Sequence, residues 1–128
     1  MTNDEINHLT GQILDACITV HKEMGPGLLE SVYELCLIKE LELRSIRTVS
    51  QVPVPLFYKG YEITKEYRID ILVEDEVIVE IKSCERMLPV FEAQIISHLR
   101  LTKKKVGILV NFNEKFLKDG YKRFVNNF

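Results

Sequence analysis

The fold is decided by one stretch that reads IDILVEDEVIVEIK, residues 69–82. Two runs of alternating apolar side chains flank the polar residues 74–76, which predicts a β-hairpin with a three-residue connection. An odd-length connection places Val73 opposite Val77 and collects the core-type side chains on one face. That face holds Ile69, Ile71, Val73, Val77, Val79 and Ile81. The other face receives Asp70, Glu80 and Lys82.

This register places Asp70 directly opposite Glu80, with the two Cβ atoms about 5 Å apart. Carboxylates at that separation repel each other unless a cation lies between them. A hard divalent ion such as Mg²⁺ or Mn²⁺ suits oxygen ligands. The Lys82 ammonium, on the same side, can orient a water molecule or stabilise developing negative charge. The alternative interpretation is an ion-paired cluster on an exposed sheet face, which contributes little stability.

Two helices precede the hairpin in the sequence. Apolar residues at helical spacing predict the first over residues 3–23, where Thr2 or Asn3 can act as the N-cap. The second is predicted from about residue 28 to residue 44, after the chain breaker Gly25-Pro26-Gly27.

Strand patterns follow the helices. Residues 52–58 alternate with period two and predict an edge strand, because Pro53 and Pro55 cannot donate to a ladder. Lys59-Gly60 predicts a tight turn, and residues 61–73 continue the alternation.

Beyond the hairpin the pattern alternates between helix and strand. A helix is predicted over residues 89–102, a buried strand over 105–112 and a short helix over 113–118, capped by Asn113. Residues 121–127 predict a final strand. The order α-α-β-β-β-α-β-α predicts an α/β fold of α+β-like character, with a mixed sheet flanked by helices.

Composition limits the classes of function. The 128 residues are 46% hydrophobic and 28% charged, which is typical of a folded domain. A net charge of −2 argues against a protein that grips long duplexes through a general basic excess. Three cysteines without CxxC spacing argue against a disulfide framework or a zinc ribbon. Because no stretch reads as a leader or a membrane span, we expect a cytoplasmic protein with no membrane partner.

Two motifs connect the chain to a known family. Residues 27–33 read GLLESVY and fit G-x-x-E-x-x-Y, and Asp70 followed by Glu80-x-Lys82 fits D…(D/E)xK. Further agreeing stretches are His21 before Gly25-Pro26-Gly27, Tyr67-Arg68-Ile69-Asp70, Val79-Glu80-Ile81-Lys82 and Glu92-Ala93-Gln94. Over about residues 10–125 the chain resembles the GxxExxY family of the PD-(D/E)xK, or restriction-endonuclease-like, nuclease superfamily. The resemblance implies a restriction-endonuclease-like core and a single nuclease-like domain over residues 1–128.

The resemblance also assigns roles to individual residues. It implies that Glu30, Asp70 and Glu80 bind Mg²⁺ or Mn²⁺, that Lys82 is the catalytic lysine, and that Gln94 is the helix glutamine that accompanies such a site. Glu30 has a simpler interpretation as well, because the dipole favours an acidic residue in the first turn of a helix.

The chain departs from the family pattern at two positions. His98 stands where we expect a tyrosine four residues after the glutamine, and Lys103 stands where glycine is usual. Gln94 and His98 share a helix face, so both reach the site if that face covers the hairpin. A surface position is the alternative for His98.

From these patterns we expect a metal-dependent phosphodiesterase that acts on nucleic acid, with DNA as the favoured substrate. The alternative is a non-catalytic nucleic-acid- or protein-binding module on the same fold, which the low net charge and small size favour. A homodimer or a protein partner stays open, because the proline-marked edge strand and the broadly apolar helices need covering.

Overall fold

A computed structural model describes residues 1–64 and 67–128. These residues form three α-helices, seven β-strands and one 3₁₀-helix. The elements in chain order are α1 (Asn3–Met24), α2 (Glu30–Leu43), β1 (Thr48–Pro53), β2 (Leu56–Tyr58), β3 (Tyr61–Thr64), β4 (Arg68–Val73), β5 (Val77–Lys82), α3 (Pro89–Thr102), β6 (Val106–Asn111), the 3₁₀-helix (Leu117–Gly120) and β7 (Tyr121–Val125).

The central sheet has the strand order β1-β4-β5-β6-β7. Strands β5 and β6 are parallel, and the other neighbouring pairs are antiparallel. Helix α3 makes the crossover that a parallel pair requires. Strands β2 and β3 pair with each other in a separate small sheet. The prediction of an α/β fold, with a mixed sheet flanked by helices, is confirmed.

The sheet separates two apolar layers. The larger layer contains α1, α2 and alternate residues of β4, β5 and β6, and the smaller one joins Leu72 and Ile78 of the sheet to Leu99 of α3. Gly107 lets α3 approach β6 closely, because a Cβ atom there would lie 3.0 Å from Ile95 Cδ1. Helix α3 therefore covers the sheet face that carries the polar residues of the β4–β5 hairpin.

One residue of the predicted apolar face lies in the other layer. Ile69 packs in the smaller layer, whereas the remaining core-type residues of the hairpin pack in the larger one. The β1–β4 ladder pairs Ser50 with Ile71 and Val52 with Ile69, and Gln51 between them has a φ of 53°. The prediction that all six side chains share one face was wrong at Ile69, which packs in the same apolar cluster as Val54.

The predicted edge strand over residues 52–58 is divided. Strand β1 begins earlier and ends before Val54, whose N–H donates to the Tyr67 carbonyl at 2.7 Å, and β2 starts only after Pro55. The break occurs here because the prolines cannot continue a ladder of N–H donors. The edge position itself is confirmed, since β1 is the first strand of the sheet. Residues 65 and 66, which the alternation includes in the next strand, lie outside the described residues.

The helix predicted over residues 113–118 was wrong. The Asn113 N–H donates to the side chain of Asn111 at 3.1 Å, so the chain turns here instead of starting a helix, and a 3₁₀-helix forms only at Leu117–Gly120. The final strand is confirmed as β7, and Thr2 caps α1 through a capping box with Glu5. No helix within the described residues has the length and apolar character to span a membrane.

Candidate functional site

The β4–β5 hairpin adopts the predicted register. Val73 pairs with Val77, and the ladder continues as far as Ile71 opposite Val79. Beyond this pair, the Asp70 side chain replaces a backbone acceptor: its Oδ2 accepts a hydrogen bond from the Ile81 N–H at 2.8 Å. Asp70 is thereby fixed beside the neighbouring strand, on the level of Glu80.

One cleft of about 350 Å³ collects most of the predicted site residues. It lies between the hairpin and α3. Its lining residues are Tyr67, Arg68, Asp70, Glu80, Lys82, Gln94 and His98. The structure therefore brings the two hairpin carboxylates, the lysine and the helix glutamine together.

Glu80 is the most deeply buried carboxyl of this cleft, with 7% of its surface exposed. Its Oε1 shares a hydrogen bond of 2.5 Å with Nδ1 of His98. Burial raises the pKa of Glu80, and the negative charge of Asp70 raises it further, whereas the hydrogen bond to His98 opposes the shift. An isolated negative charge is unfavourable here, so the cleft favours a cation or a shared proton at this carboxyl.

His98 belongs to the cleft and not to the surface. It is buried, and the ring of Tyr67 packs edge-to-face against it with centroids 5.3 Å apart. Among the described residues, its Nε2 is a buried side-chain atom without a hydrogen-bond partner. A buried acceptor without a partner is tolerated more readily than a buried N–H. This favours the tautomer in which Nδ1 carries the hydrogen and donates to Oε1 of Glu80.

Lys82 is half-buried on the same side of β5. Its Nζ lies 4.5 Å from the centroid of the Phe91 ring on α3, a cation–π distance. Within the described part of the chain, it forms no ion pair with Asp70 or Glu80. The arrangement is therefore an open cleft beside α3, in which Glu80 is buried and Lys82 is half-buried.

Glu30 approaches Asp70 from the α2 side. Both residues line a second cleft, of about 150 Å³, together with Ser31, Glu34, Gln51 and Ile81. Asp70 lines both clefts, so it connects the carboxylate of the helix with the carboxylate of the hairpin.

The sequence prediction missed Glu34, which lies one helical turn after Glu30. Its Oε1 accepts a hydrogen bond of 2.8 Å from the Gln51 side chain. Burial is the main cause that raises the pKa of Glu34; the hydrogen bond from Gln51 opposes it, and Asp70, Glu80 and Glu30 add to it. The i, i+4 spacing of two glutamates on one helix face is the signal that could have indicated it.

Tyr33 explains why the motif at residues 27–33 ends in tyrosine. The ring is fully buried and stacks on Phe112, with centroids 4.6 Å apart. Its hydroxyl donates to the Gly25 carbonyl at 2.5 Å and accepts from the Leu28 N–H at 3.1 Å. Helix α2 begins at Glu30 and not at the predicted residue 28, because Leu29 is extended, with a ψ of 151°. Tyr33 thus fixes the start of the helix that carries Glu30.

The donor set suits a divalent cation in its chemistry. Asp70 Oδ2 and Glu80 Oε1 are each engaged in a hydrogen bond, so the second oxygen of each carboxylate is the one available to a cation. Carboxylate oxygens are the ligands that Mg²⁺ and Mn²⁺ prefer. Among the described residues no three His, Cys, Asp or Glu side chains are already assembled as a ligand group. To act as a third ligand, the Glu30 side chain would therefore have to move towards Asp70 and Glu80 when a cation binds.

Comparison with known proteins connects the chain to a family. The sequence model of the PD-(D/E)XK nuclease superfamily matches residues 7–124, a span that includes every residue of both clefts. Searches of curated proteins and of solved structures found no significant match.

Proposed function

Because the chain belongs to the PD-(D/E)XK nuclease superfamily, we propose that it is a metal-dependent nuclease that hydrolyses phosphodiester bonds. The observation that carries this proposal is the cleft shared by Asp70, Glu80 and Lys82. Within the superfamily, the spacing of Gly27, Glu30 and Tyr33 supports a place in the GxxExxY family. DNA is the substrate we propose first.

The carboxylates would hold a Mg²⁺ or Mn²⁺ ion. Asp70 and Glu80 supply two ligands from the hairpin, and Glu30 supplies a third from the start of α2. When bound, such an ion polarises the phosphate and lowers the pKa of a water molecule in the cleft. His98 holds one oxygen of Glu80 and so orients the other, as hydrogen-bond partners of metal ligands commonly do.

Lys82 and Gln94 act on the reacting groups. Phe91 packs beneath the Lys82 ammonium and limits its conformational freedom, so the positive charge is available to orient the attacking water or to stabilise charge on the phosphate. Gln94 is exposed at the rim of the same cleft, where its amide can bind a phosphate oxygen or the water.

The test is a cleavage panel with single-stranded, duplex and branched DNA and with RNA, each in Mg²⁺ or Mn²⁺. We expect Asp70→Asn and Lys82→Met each to lower the cleavage rate by about 100-fold or more. Matched controls are Asp75→Asn, in the exposed hairpin turn, and Lys39→Met, exposed on α2. Cleavage of no substrate, or cleavage that survives both site substitutions, would contradict the proposal.

Calorimetry with Mn²⁺ separates metal binding by the carboxylates from the catalytic role of Lys82. Asp70→Asn and Glu30→Gln should weaken Mn²⁺ binding by about 10-fold or more, because each removes a charged ligand. Lys82→Met should leave the affinity near that of the unsubstituted protein. If Glu30→Gln bound Mn²⁺ with unchanged affinity, Glu30 would be an acidic residue that stabilises the first turn of α2 and not a metal ligand. Nucleic-acid binding without Mn²⁺ binding would favour the non-catalytic module instead.

A further inference from the structure

Residues 56–64 form a hairpin that projects from the end of the β1–β4 pair, and we call it the aromatic arm. Strands β2 and β3 pair through Tyr58 opposite Tyr61 and Phe57 opposite Glu62. The connecting residues Lys59 and Gly60 have φ angles of 50° and 85°. Two positive φ angles are typical of the tight type I′ turn, which gives the arm a defined shape.

The arm exposes apolar side chains that a sheet normally buries. Tyr58 is 63% exposed, Tyr61 is 75% exposed, and Phe57 and Ile63 are more than half exposed. Because directly opposite residues project to the same side, the rings of Tyr58 and Tyr61 lie next to each other on one face. Phe57 projects to the other face. Exposed apolar surface concentrated in one element indicates an interaction site.

The arm is continuous with the cleft that holds the carboxylates. Its base is closed by the pairing of Pro53 with Arg68 and by the hydrogen bond from Val54 to Tyr67. Tyr67 and Arg68 also line the cleft of Asp70 and Glu80. A ligand that lies along the arm would therefore enter the cleft at its base.

Positive charges accompany the rings along this path. At the tip, the Lys59 ammonium lies 5.4 Å from the centroid of the Tyr58 ring. At the base, the exposed guanidinium of Arg68 is held by the Gln51 carbonyl at 3.3 Å. Rings that can stack on bases and cations that can bind phosphates are together the two components of a single-strand binding surface.

We propose, on the basis of the nuclease function above, that the aromatic arm binds single-stranded nucleic acid and leads it into the cleft. Bases stack on Tyr58 and Tyr61, and Lys59 and Arg68 contact phosphates. In a duplex the base faces are covered by their neighbours, so the rings discriminate against paired strands. The net charge of −2 is compatible with this mode of binding, because base stacking supplies affinity that a basic surface would otherwise supply.

The proposal predicts a shallow dependence of binding on salt. Two phosphate contacts on a single strand correspond to a slope of about −1.4 in a plot of log affinity against log salt concentration. A protein that binds mainly through a basic patch would show a slope several times steeper.

The experiment measures binding of the full chain to fluorescein-labelled oligothymidylate by anisotropy, in EDTA so that no cleavage occurs. A duplex of equal length and an oligouridylate are measured in parallel, which separates DNA from RNA. We expect the single strands to bind more tightly than the duplex. Tyr58→Leu and Tyr61→Leu should each weaken single-strand binding by about 10-fold, and Tyr61→Phe should restore it. These side chains are exposed, so thermal melting should confirm that the variants remain folded.

The matched control is Phe116→Leu. Phe116 is 63% exposed and has the Lys115 ammonium 5.5 Å from its ring centroid, but it lies beside α1, at a different cleft. We expect no change in affinity for this variant. An equal loss in Phe116→Leu, or no loss in Tyr58→Leu and Tyr61→Leu, would overturn the proposal. Dissociation of a dimer by the arm substitutions, measured by light scattering, would also overturn it, since a second copy would then occupy the arm.

The results distinguish a failure of the single-strand-binding proposal from a failure of the nuclease proposal. Single-strand binding that depends on Tyr58 and Tyr61, without any cleavage in Mg²⁺ or Mn²⁺, supports the arm and contradicts the nuclease. Cleavage that depends on Lys82 but proceeds with the same KM in Tyr58→Leu and Tyr61→Leu supports the nuclease and overturns the arm.

Discussion

The substitution Tyr33→Phe removes one hydroxyl and leaves the stacked ring in place. Among the described residues, that hydroxyl donates to the Gly25 carbonyl at 2.5 Å and accepts from the Leu28 N–H at 3.1 Å. Both partners are half-buried, so water can replace the lost bonds only in part. A hydrogen bond of this kind contributes about 1 kcal/mol, so we expect the free energy of unfolding to fall by about 2 kcal/mol. In a chain of this length that corresponds to a decrease in Tm of about 7 °C.

The assay is urea denaturation followed by circular dichroism. The midpoint should decrease while the slope m stays constant, because the surface exposed on unfolding hardly changes. Calorimetry should also show weaker Mn²⁺ binding, since the loop that fixes the start of α2 positions Glu30.

Tyr121→Phe provides the matched control for Tyr33→Phe. Within the described part of the chain its hydroxyl donates one long hydrogen bond, to the Thr10 carbonyl at 3.3 Å, so the expected loss is less than about 1 kcal/mol. The reasoning would be refuted if Tyr33→Phe cost no more than Tyr121→Phe, or if it weakened Mn²⁺ binding without any loss of stability.

Three further substitutions test the fold and the site. Lys103→Gly should raise the free energy of unfolding by about 1 kcal/mol, because Lys103 ends α3 with a φ of 59°, a conformation that glycine adopts without strain. Gly107→Ala should lower it by about 1–3 kcal/mol, since the new Cβ would lie 3.0 Å from Ile95 Cδ1. Glu80→Gln should stabilise the metal-free protein increasingly as the pH rises, because the raised pKa of Glu80 makes its ionisation unfavourable in the folded state.

The sign of the pH effect can be checked directly. Below the usual glutamate pKa of about 4.3, Glu80 is protonated in both the folded and the unfolded state, so the Tm difference between Glu80→Gln and the unsubstituted protein is constant. The difference should grow as the pH rises through the raised pKa of the folded state. A difference that is constant or shrinks with pH would contradict a raised pKa. Lys103→Ala, which keeps a side chain at the left-handed position, should gain less stability than Lys103→Gly.

The hairpin could be predicted because two independent constraints agree. The apolar alternation and the length of the 74–76 connection each specify the register, and together they place Asp70 beside Glu80. The prediction failed at Ile69 because this side chain packs in a cluster with Val54, which lies in another segment of the chain. No pattern within the hairpin itself records that residue.

The rest of the site depends on packing between distant elements. His98 remained undecided in the sequence because its burial depends on how closely α3 approaches β6, and Gly107 sets that approach. Glu34 was missed because its contacts with Gln51 arise from the position of α2 against β1. In each case the residue types were visible, but the distance between the elements was not.

Asp70 has a structural role in addition to its place in the cleft. Its carboxylate replaces a main-chain acceptor for the Ile81 N–H, and so extends the pairing of β4 with β5 beyond its last backbone bond. In a related sequence without the proposed nuclease activity, the Ile81 N–H would still need an acceptor, so Asp or Asn should be retained at this position. In the described part of the chain the Lys82 side chain makes no hydrogen bond to the backbone, so this residue should vary in sequences that lack the proposed activity. Among related sequences, loss of the lysine beside a retained aspartate would therefore mark those without the proposed activity.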